Sequence, residues 1–268
     1  MTLRGYIPVG AGRRALVRSP ALAAPAPAVL VLHGYTGSPE RIEQTSGWTD
    51  FLAGRKALVA YPEGTPTQPE GFGWDTGTSR FSTHGQDDVA YLAALVRRLV
   101  DEHCVDPGRI LVTGESNGGA MTLLAACDAR TAGSFALAAP VIPAIDDGTL
   151  ARCGAGPALR LVAIAGRHDR TVTYDGSYKP GLRPLLGQEA WFLRVAAERN
   201  GCAPAEPERT PLDDGTRIAP RACRAPLALV AVDDGVHTWP GGPTGTAGLP
   251  PGRFPATSFL WREAGLER

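Results

Sequence analysis

Continuous apolar segments alternate with helical patterns along most of this chain of 268 residues. The apolar segments are short and bounded by turn residues, which is typical of strands that are buried on both faces. Strands of that kind, separated by helices, form parallel sheets that carry helices on both sides. We therefore expect an α/β protein built around a mostly parallel sheet.

Eight segments predict the strands of this sheet. They are Leu3 to Val9, Arg14 to Ser19, Ala28 to Leu32, Ala57 to Ala60, Ile110 to Thr113, Phe135 to Ala139, Leu159 to Ala165 and Leu227 to Val232. Helices are predicted from Asp87 to His103, from about Gln188 to Arg199 and from about Ala256. No internal repeat and no linker between two cores is visible, so residues 1–268 are expected to form one domain.

Charge and hydropathy exclude several classes of partner. The 27 Lys and Arg residues balance 27 Asp and Glu residues, and without a basic excess no nucleic-acid partner is expected. No segment approaches the roughly 18 apolar residues that cross a bilayer, so no membrane partner is expected either. Residues 1–27 lack the apolar core of a secretory signal, which leaves a cytoplasmic protein or a removed signal.

The five cysteines do not have the spacing of metal ligands, because no CxxC pair or Cys/His cluster occurs. No metal and no cofactor is predicted. Cys202 and Cys223 flank a turn-rich segment and could form a disulfide in an oxidising compartment. Cys104, Cys127 and Cys153 are interpreted as buried hydrophobic residues, with an unassigned pairing among them as the alternative.

The segment from Tyr61 to Gln86 shows neither helical nor alternating pattern and predicts a long loop. Loops of this length in a compact domain often line a site, although an extended surface connection is an alternative.

A candidate nucleophile follows the fifth predicted strand. Gly114-Glu115-Ser116-Asn117-Gly118-Gly119 stands between the strand Ile110 to Thr113 and the helical run Ala120 to Ala126. This is the G-x-S-x-G pattern in the strand, turn and helix context that exposes a serine hydroxyl, and the flanking glycines remove β-carbons that would block the turn. Ser116 is therefore the predicted nucleophile.

A serine hydroxyl needs a base and a carboxylate that orients the base. His237 is the one histidine of five that follows the last predicted strand, where the order Ser, Asp, His places the base in this type of fold. Asp169 follows the strand Leu159 to Ala165 and is the predicted acid, with Asp146, Asp147 and Asp175 as rivals.

The oxyanion hole is predicted to combine two backbone N–H groups. One belongs to Asn117, the residue after the nucleophile. The other belongs to Tyr35, in the turn after the third predicted strand, with Thr36 as the competitor. His33 is expected to brace this turn by hydrogen bonding and not to act as the base.

These motifs resemble the polyhydroxybutyrate depolymerase and feruloyl esterase-like family of α/β-hydrolases, over most of the chain. The resemblance rests on Leu32-His33-Gly34, Asp87-Asp88-Val89, Val105-Asp106-Pro107, the Ser116 motif, Gly166 to Thr173, Asn200-Gly201-Cys202 and His237 to Gly242. It implies an α/β-hydrolase fold, an esterase activity, a triad of Ser116, Asp169 and His237, and a disulfide between Cys202 and Cys223. Because the family contains many secreted enzymes, it also favours secretion, with a cytoplasmic location as the alternative.

The expected reaction is hydrolysis of a soluble carboxylic ester: a short-chain ester, a hydroxyalkanoate oligomer, or a feruloyl or acetyl ester of a carbohydrate. Trp239 and Trp74 are candidate walls for the substrate, although tryptophans are as often packing residues. The segment Val141 to Ala158 is too short for a large cap, so an open site is expected. A serine peptidase of the same fold and a non-catalytic binding protein are the alternatives, and no oligomeric state is predicted.

Overall fold

The computed structural model describes residues 2–10, 12–68, 70–77, 79–176, 184–246 and 248–267. Twelve strands lie within these ranges. They are β1 (Leu3–Gly10), β2 (Arg13–Ser19), β3 (Ala26–Leu32), β4 (Leu58–Pro62), β5 (Thr65–Pro66), β6 (Phe72–Gly73), β7 (Val105–Glu115), β8 (Leu137–Val141), β9 (Leu161–Gly166), β10 (Glu208–Leu212), β11 (Gly215–Ala219) and β12 (Leu227–Val232).

Seven helices lie in the same described ranges. They are α1 (Pro39–Ser46), α2 (Trp48–Phe51), α3 (Asp88–His103), α4 (Asn117–Cys127), α5 (Asp147–Cys153), α6 (Gln188–Glu198) and α7 (Ala256–Glu263). No helix in this part of the chain is long and apolar enough to traverse a bilayer.

Ten strands form one sheet in the order β1-β2-β4-β3-β7-β8-β9-β12-β11-β10. The six central strands, from β4 to β12 in that order, pair in parallel, and the two outer strands on each side pair antiparallel. The prediction of a mostly parallel α/β sheet is confirmed, but its count of eight strands is wrong. The two missed strands lack the apolar pattern of buried strands, because β10 is largely exposed at the sheet edge and its neighbour β11 is only partly buried.

Alternate residues of the central strands pack into two apolar layers, one on each face of the sheet. On β3, Leu30 and Leu32 pack with residues of α3, α4 and α6, whereas Val29 and Val31 pack with residues of α1, α2 and α7. Side chains of a strand point alternately to opposite faces, which explains why β3 is buried along its whole length. The helices therefore cover both faces of the sheet, as expected.

The connection between β8 and β9, residues 142–160, is described throughout and contains one helix of seven residues, α5. Asp146 begins this helix, because its carboxylate accepts the N–H of Thr149 at 2.7 Å. This connection is where a cap could be inserted above the carboxyl ends of the strands. Within the described residues, this connection adds no large cap at that end of the sheet.

Two disulfides join parts of the described chain. Cys202 pairs with Cys223, as predicted, and Cys127 pairs with Cys153, which links the ends of α4 and α5. Cys104 is a free, exposed cysteine in the left-handed conformation at the end of α3. Its interpretation as a buried hydrophobic residue is therefore wrong.

Candidate active site

Ser116 lies at the turn between β7 and α4. Its φ of 56° and ψ of −118° lie outside the regions that L residues commonly adopt. The turn is crowded: a β-carbon added at Gly118 would lie 2.4 Å from the carbonyl oxygens of Leu32 and His33, and one at Gly114 would lie 2.7 Å from the carbonyl oxygen of Gly118. The glycines of the motif therefore let the helix start directly against the end of β3.

The structure brings Ser116, His237 and Asp169 together from three loops at the carboxyl ends of β7, β12 and β9. The Ser116 hydroxyl lies 3.1 Å from Nε2 of His237, and Nδ1 of His237 lies 2.7 Å from Oδ2 of Asp169. With the imidazole neutral, Nδ1 donates to the carboxylate and Nε2 accepts the serine proton. This is the arrangement in which a base can take the proton of an attacking hydroxyl.

The carboxylate of Asp169 is held by its own loop. Oδ1 accepts the N–H groups of Thr171 and Val172 at 2.7 and 2.8 Å, which leaves Oδ2 for His237. The three rivals lie elsewhere: Asp146 caps α5, Asp147 pairs with Arg194 on the surface, and Asp175 is exposed. Among the candidate acids, only Asp169 reaches the imidazole.

The turn after β3 lies directly against the nucleophile. A β-carbon on Gly34 would lie 3.5 Å from Cβ of Ser116, which is van der Waals contact and shows how near the two turns are. Within the described chain, the backbone N–H groups of Asn117, Tyr35 and the competitor Thr36 have no hydrogen-bond partner. Free N–H groups beside a serine hydroxyl could stabilise a negatively charged oxygen.

His33 braces this turn, as the sequence suggested. Its Nε2 accepts the N–H of Gly64 at 3.0 Å, so the proton of the neutral ring is on Nδ1, which donates to the carbonyl of Gly34 at 2.8 Å. Burial lowers the pKa of His33 to about 4, because desolvation disfavours the charged ring. The neutral imidazole therefore holds the turn without adding charge to the site.

The side chain of Asn117 fastens the long loop to the nucleophile helix. Its Oδ1 accepts the N–H of Trp74 at 2.8 Å, and its Nδ2 donates to the carbonyl of Trp74 at 3.1 Å and to the hydroxyl of Thr76 at 3.0 Å. Asn117 is fully buried. The sequence predicts a role only for the backbone of Asn117, because its side-chain contacts depend on the folded position of the long loop.

Trp74 and Trp239 do not line an open surface in this structure. Both indoles have 0% exposure. Trp74 donates to the carbonyl of His33, and Trp239 donates to the hydroxyl of Thr257. The prediction that Trp74 and Trp239 form walls for the substrate is therefore not supported, because each ring is enclosed by protein and its N–H is hydrogen-bonded inside.

Glu115 is a second acidic group beside the nucleophile that the sequence analysis left without a role. Its Oε1 lies near Gly34, while its Oε2 is buried without a hydrogen-bond partner among the described residues. Burial raises the pKa of Glu115, and the electrostatic influence of nearby His237 and Arg41 opposes that effect. The described residues include no group of three or more His, Cys, Asp or Glu side chains that could hold a metal ion.

Known proteins with similar sequences are named as esterases or polyester depolymerases. "Putative esterase NocK" of Nocardia uniformis subsp. tsuyamanensis is 29% identical over 84% of this chain and 68% of its own length. Feruloyl esterase B of Piromyces equi is 28% identical over 69% of this chain, and poly(3-hydroxyalkanoate) depolymerase C of Paucimonas lemoignei is 34% identical over 43%. The matches span 34% and 27% of the lengths of these two longer proteins.

Two further comparisons concern the fold. The Peptidase_S9 profile, described as the prolyl oligopeptidase family, matches residues 44–147, which is less than half of the chain. The solved structure of an acetyl xylan esterase from Aspergillus awamori covers 99% of this chain and 98% of its own, with a TM-score of 0.67 and 15% identity. That likeness shows the fold. The chain is therefore a serine carboxylic ester hydrolase with the α/β-hydrolase fold, related to the feruloyl esterases and poly(3-hydroxyalkanoate) depolymerases.

Proposed function

We propose that Ser116, His237 and Asp169 are the catalytic triad and that the protein acts through an acyl-enzyme. The Ser116 hydroxyl attacks the ester carbonyl while His237 takes its proton and returns it to the departing alcohol. Water, activated by the same imidazole, then releases the acid. The N–H groups of Tyr35 and Asn117 stabilise the oxyanion in both steps.

One observation carries this proposal. The hydroxyl, imidazole and carboxylate are connected by contacts of 3.1 and 2.7 Å although they come from three separate loops. Such a chain of hydrogen bonds positions a base for proton transfer. The free N–H groups beside Ser116 add the second requirement of acyl transfer, which is stabilisation of negative charge.

Labelling with an organophosphonate tests the triad directly. We expect one covalent adduct on Ser116 in the wild-type protein, detected by mass spectrometry of the peptide, and none in Ser116→Ala. His237→Ala should retain Ser116 but react far more slowly, because the hydroxyl loses its base. A folded wild-type protein that acquires no adduct would favour the non-catalytic binding protein.

The proposed substrates are soluble esters: short-chain esters, hydroxyalkanoate oligomers, or feruloyl or acetyl esters of carbohydrates. The short α5 supports an open site, and the names of the relatives span these classes. A panel that contains one ester of each class, compared by kcat/KM, separates them. We also propose that the protein works in an oxidising compartment outside the cell, which its two disulfides support.

A serine peptidase is the second candidate, because the prolyl oligopeptidase profile matches residues 44–147. The two reactions share a nucleophile and differ in the leaving group, since an amide nitrogen must be protonated as it departs. Comparing p-nitrophenyl esters with aminoacyl p-nitroanilides distinguishes the candidates. We expect ester turnover to exceed anilide turnover, and the reverse order would reject the esterase.

A further inference from the structure

A groove lies beside the turn after β3. Its volume is about 730 Å³, and its walls include Thr36, Ser38, Arg41, Thr67, Glu70 and Phe72. We call it the oxyanion-turn groove. One wall comes from the turn and the start of α1, and the other comes from the β5–β6 hairpin. A substrate bound at Ser116 and longer than its ester group could extend into it.

Arg41 is a cation without a partner at this groove. Helix α1 carries three charged residues, and both acidic ones are engaged: Glu43 pairs with Arg18 at 2.7 Å, and Glu40 accepts the Tyr6 hydroxyl at 2.5 Å. The guanidinium of Arg41 makes no ion pair or hydrogen bond with any described residue. Its charge is therefore available to a ligand.

Arg41 also acts electrostatically on the reaction centre. Its positive charge opposes the burial that raises the pKa of Glu115, the residue directly before the nucleophile. Because burial dominates, the carboxyl of Glu115 is less readily ionised than an ordinary glutamate and neutralises Arg41 less effectively. The guanidinium thus faces a groove next to the catalytic centre without a strong anion of its own.

Glu70 lines the same groove but forms no ion pair with Arg41 within the described chain. An anionic ligand is attracted by Arg41 and repelled by Glu70, so it would lie on the α1 side of the groove. The two residues therefore have opposite effects on the same substrate charge.

We propose that the oxyanion-turn groove binds a carboxylate that the ester substrate carries in addition to its scissile bond, with Arg41 as its ligand. A guanidinium presents parallel N–H donors that match the two oxygens of a carboxylate. This inference rests on the proposed esterase function and narrows its substrates to esters with a free acid group. Arg41 is a specificity-determining residue because it contacts a part of the substrate that does not react.

Two matched pairs of esters test the proposal. On the alcohol side, 4-acetoxybenzoate is compared with the neutral 4-acetoxybenzamide. On the acyl side, ethyl hydrogen adipate is compared with its neutral amide, ethyl adipamate. Each pair gives a ratio of kcat/KM for the acid over the amide, and this ratio isolates the carboxylate because size and reacting bond are alike.

We expect the wild-type enzyme to prefer the acid in one of the pairs, which also shows on which side of the ester the groove lies. Arg41→Gln should lower that ratio by about tenfold, mainly through KM, because an exposed charge-assisted contact is lost. Glu70→Gln should raise the ratio, because it removes the repelling charge. Arg97→Gln, an exposed residue of α3 outside the groove, changes net charge by the same amount as Arg41→Gln and should leave the ratio unchanged.

An acid-to-amide ratio that is the same in wild-type and Arg41→Gln protein for both pairs would overturn the inference. The proposed function survives that result if the ester bonds of 4-acetoxybenzamide and ethyl adipamate are hydrolysed. If neither acids nor amides are hydrolysed and no phosphonate adduct forms on Ser116, the proposed function itself fails. An equal drop in Arg97→Gln would assign the effect to net charge and also reject the groove.

Discussion

Ser116 has a backbone conformation with positive φ, and its hydroxyl contacts Nε2 of His237. A non-glycine residue at φ 56° costs about 1 to 3 kcal/mol, and the surrounding glycines make room for the turn that holds it. The sequence motif predicted this residue because strand, turn and helix are all encoded locally. It could not predict that Glu115 lies buried beside the turn, since that depends on Gly34 and His237, which are distant in the sequence.

Removing a member of the proposed triad should abolish most activity. We expect Ser116→Ala and His237→Ala each to lower kcat by about 10⁴ to 10⁶-fold, and Asp169→Asn to lower it by about 10⁴-fold, because the imidazole would lose its orienting acceptor. Steady-state hydrolysis of p-nitrophenyl butyrate measures the loss. Circular dichroism of each variant controls for folding, and near-normal turnover by Asp169→Asn would mean that another acid serves His237.

Acid should destabilise the protein through His33. Its pKa is about 4 in the folded state and near 6.5 in the unfolded chain, so the unfolded state binds a proton more readily. Stability contributed by this residue is complete above pH 6.5, falls as the pH drops toward 4 and changes little below that. The loss is about 3 kcal/mol.

Urea unfolding of the wild-type protein and of His33→Gln at pH 7, 5 and 4 measures this effect. We expect the variant to be less stable at pH 7, because the glutamine cannot reproduce both hydrogen bonds of the ring. Its free energy of unfolding should nevertheless depend less on pH than that of the wild type. Parallel pH curves for the two proteins would show that His33 does not titrate in this range.

Elements with a regular apolar pattern were predicted from the sequence, whereas helix α1 and strands β10 and β11 were not. Helix α3 follows its prediction within one residue, because its apolar residues recur at helical spacing. Helix α1 was missed although Ser38 caps it and Pro39 opens it, two signals that stand in the sequence. Strands β10 and β11 have no such pattern, because the pairing of β11 with β12 and of β10 with β11 is set by tertiary contacts.

The disulfide between Cys127 and Cys153 should stabilise the helix pair α4 and α5. It closes a segment with a sequence separation of 26, for which loss of the cross-link costs about 3 kcal/mol. Arg199 donates to the carbonyl groups of both cysteines, so the backbone around the bond is also fixed by hydrogen bonds. We expect the double variant Cys127→Ala/Cys153→Ala to unfold at lower urea concentration than the wild type.

The exposed Cys104 provides the matched control for that variant. Cys104→Ala also removes a thiol, but it breaks no cross-link, and its midpoint should stay close to that of the wild type. Equal midpoints for the double variant and the wild type would show that packing, and not the disulfide, holds α5.

At the scale of the molecule, the order of strands and helices was enough to predict the fold class. The proposed acid Asp169 and base His237 were then predicted from the strands that they follow, and the structure places both side chains in hydrogen-bond contact with each other. What could not be predicted is which face of a side chain stays open: Trp74 and Trp239 look identical to substrate walls in the sequence, yet both are enclosed by the packed loops. Burial of an aromatic ring in a loop is a property of the assembled structure.

The chain should unfold as one cooperative unit. One sheet runs through it, and the two apolar layers share the strands of that sheet, so neither layer can be lost alone. Differential scanning calorimetry should show a single transition whose calorimetric and van't Hoff enthalpies agree. Two separated transitions would instead divide the chain into two domains.

The hydrogen bonds between the side chain of Asn117 and the backbone of Trp74 tie the long loop to α4, the helix that begins directly after Ser116. The Asn117 amide accepts the N–H of Trp74 and donates to its carbonyl, so both backbone groups of this residue are fixed relative to α4. Changes of length within the loop can be absorbed only on either side of Trp74. A change in the loop that preserves these two hydrogen bonds therefore keeps the loop attached to α4, whereas a change that breaks them detaches it.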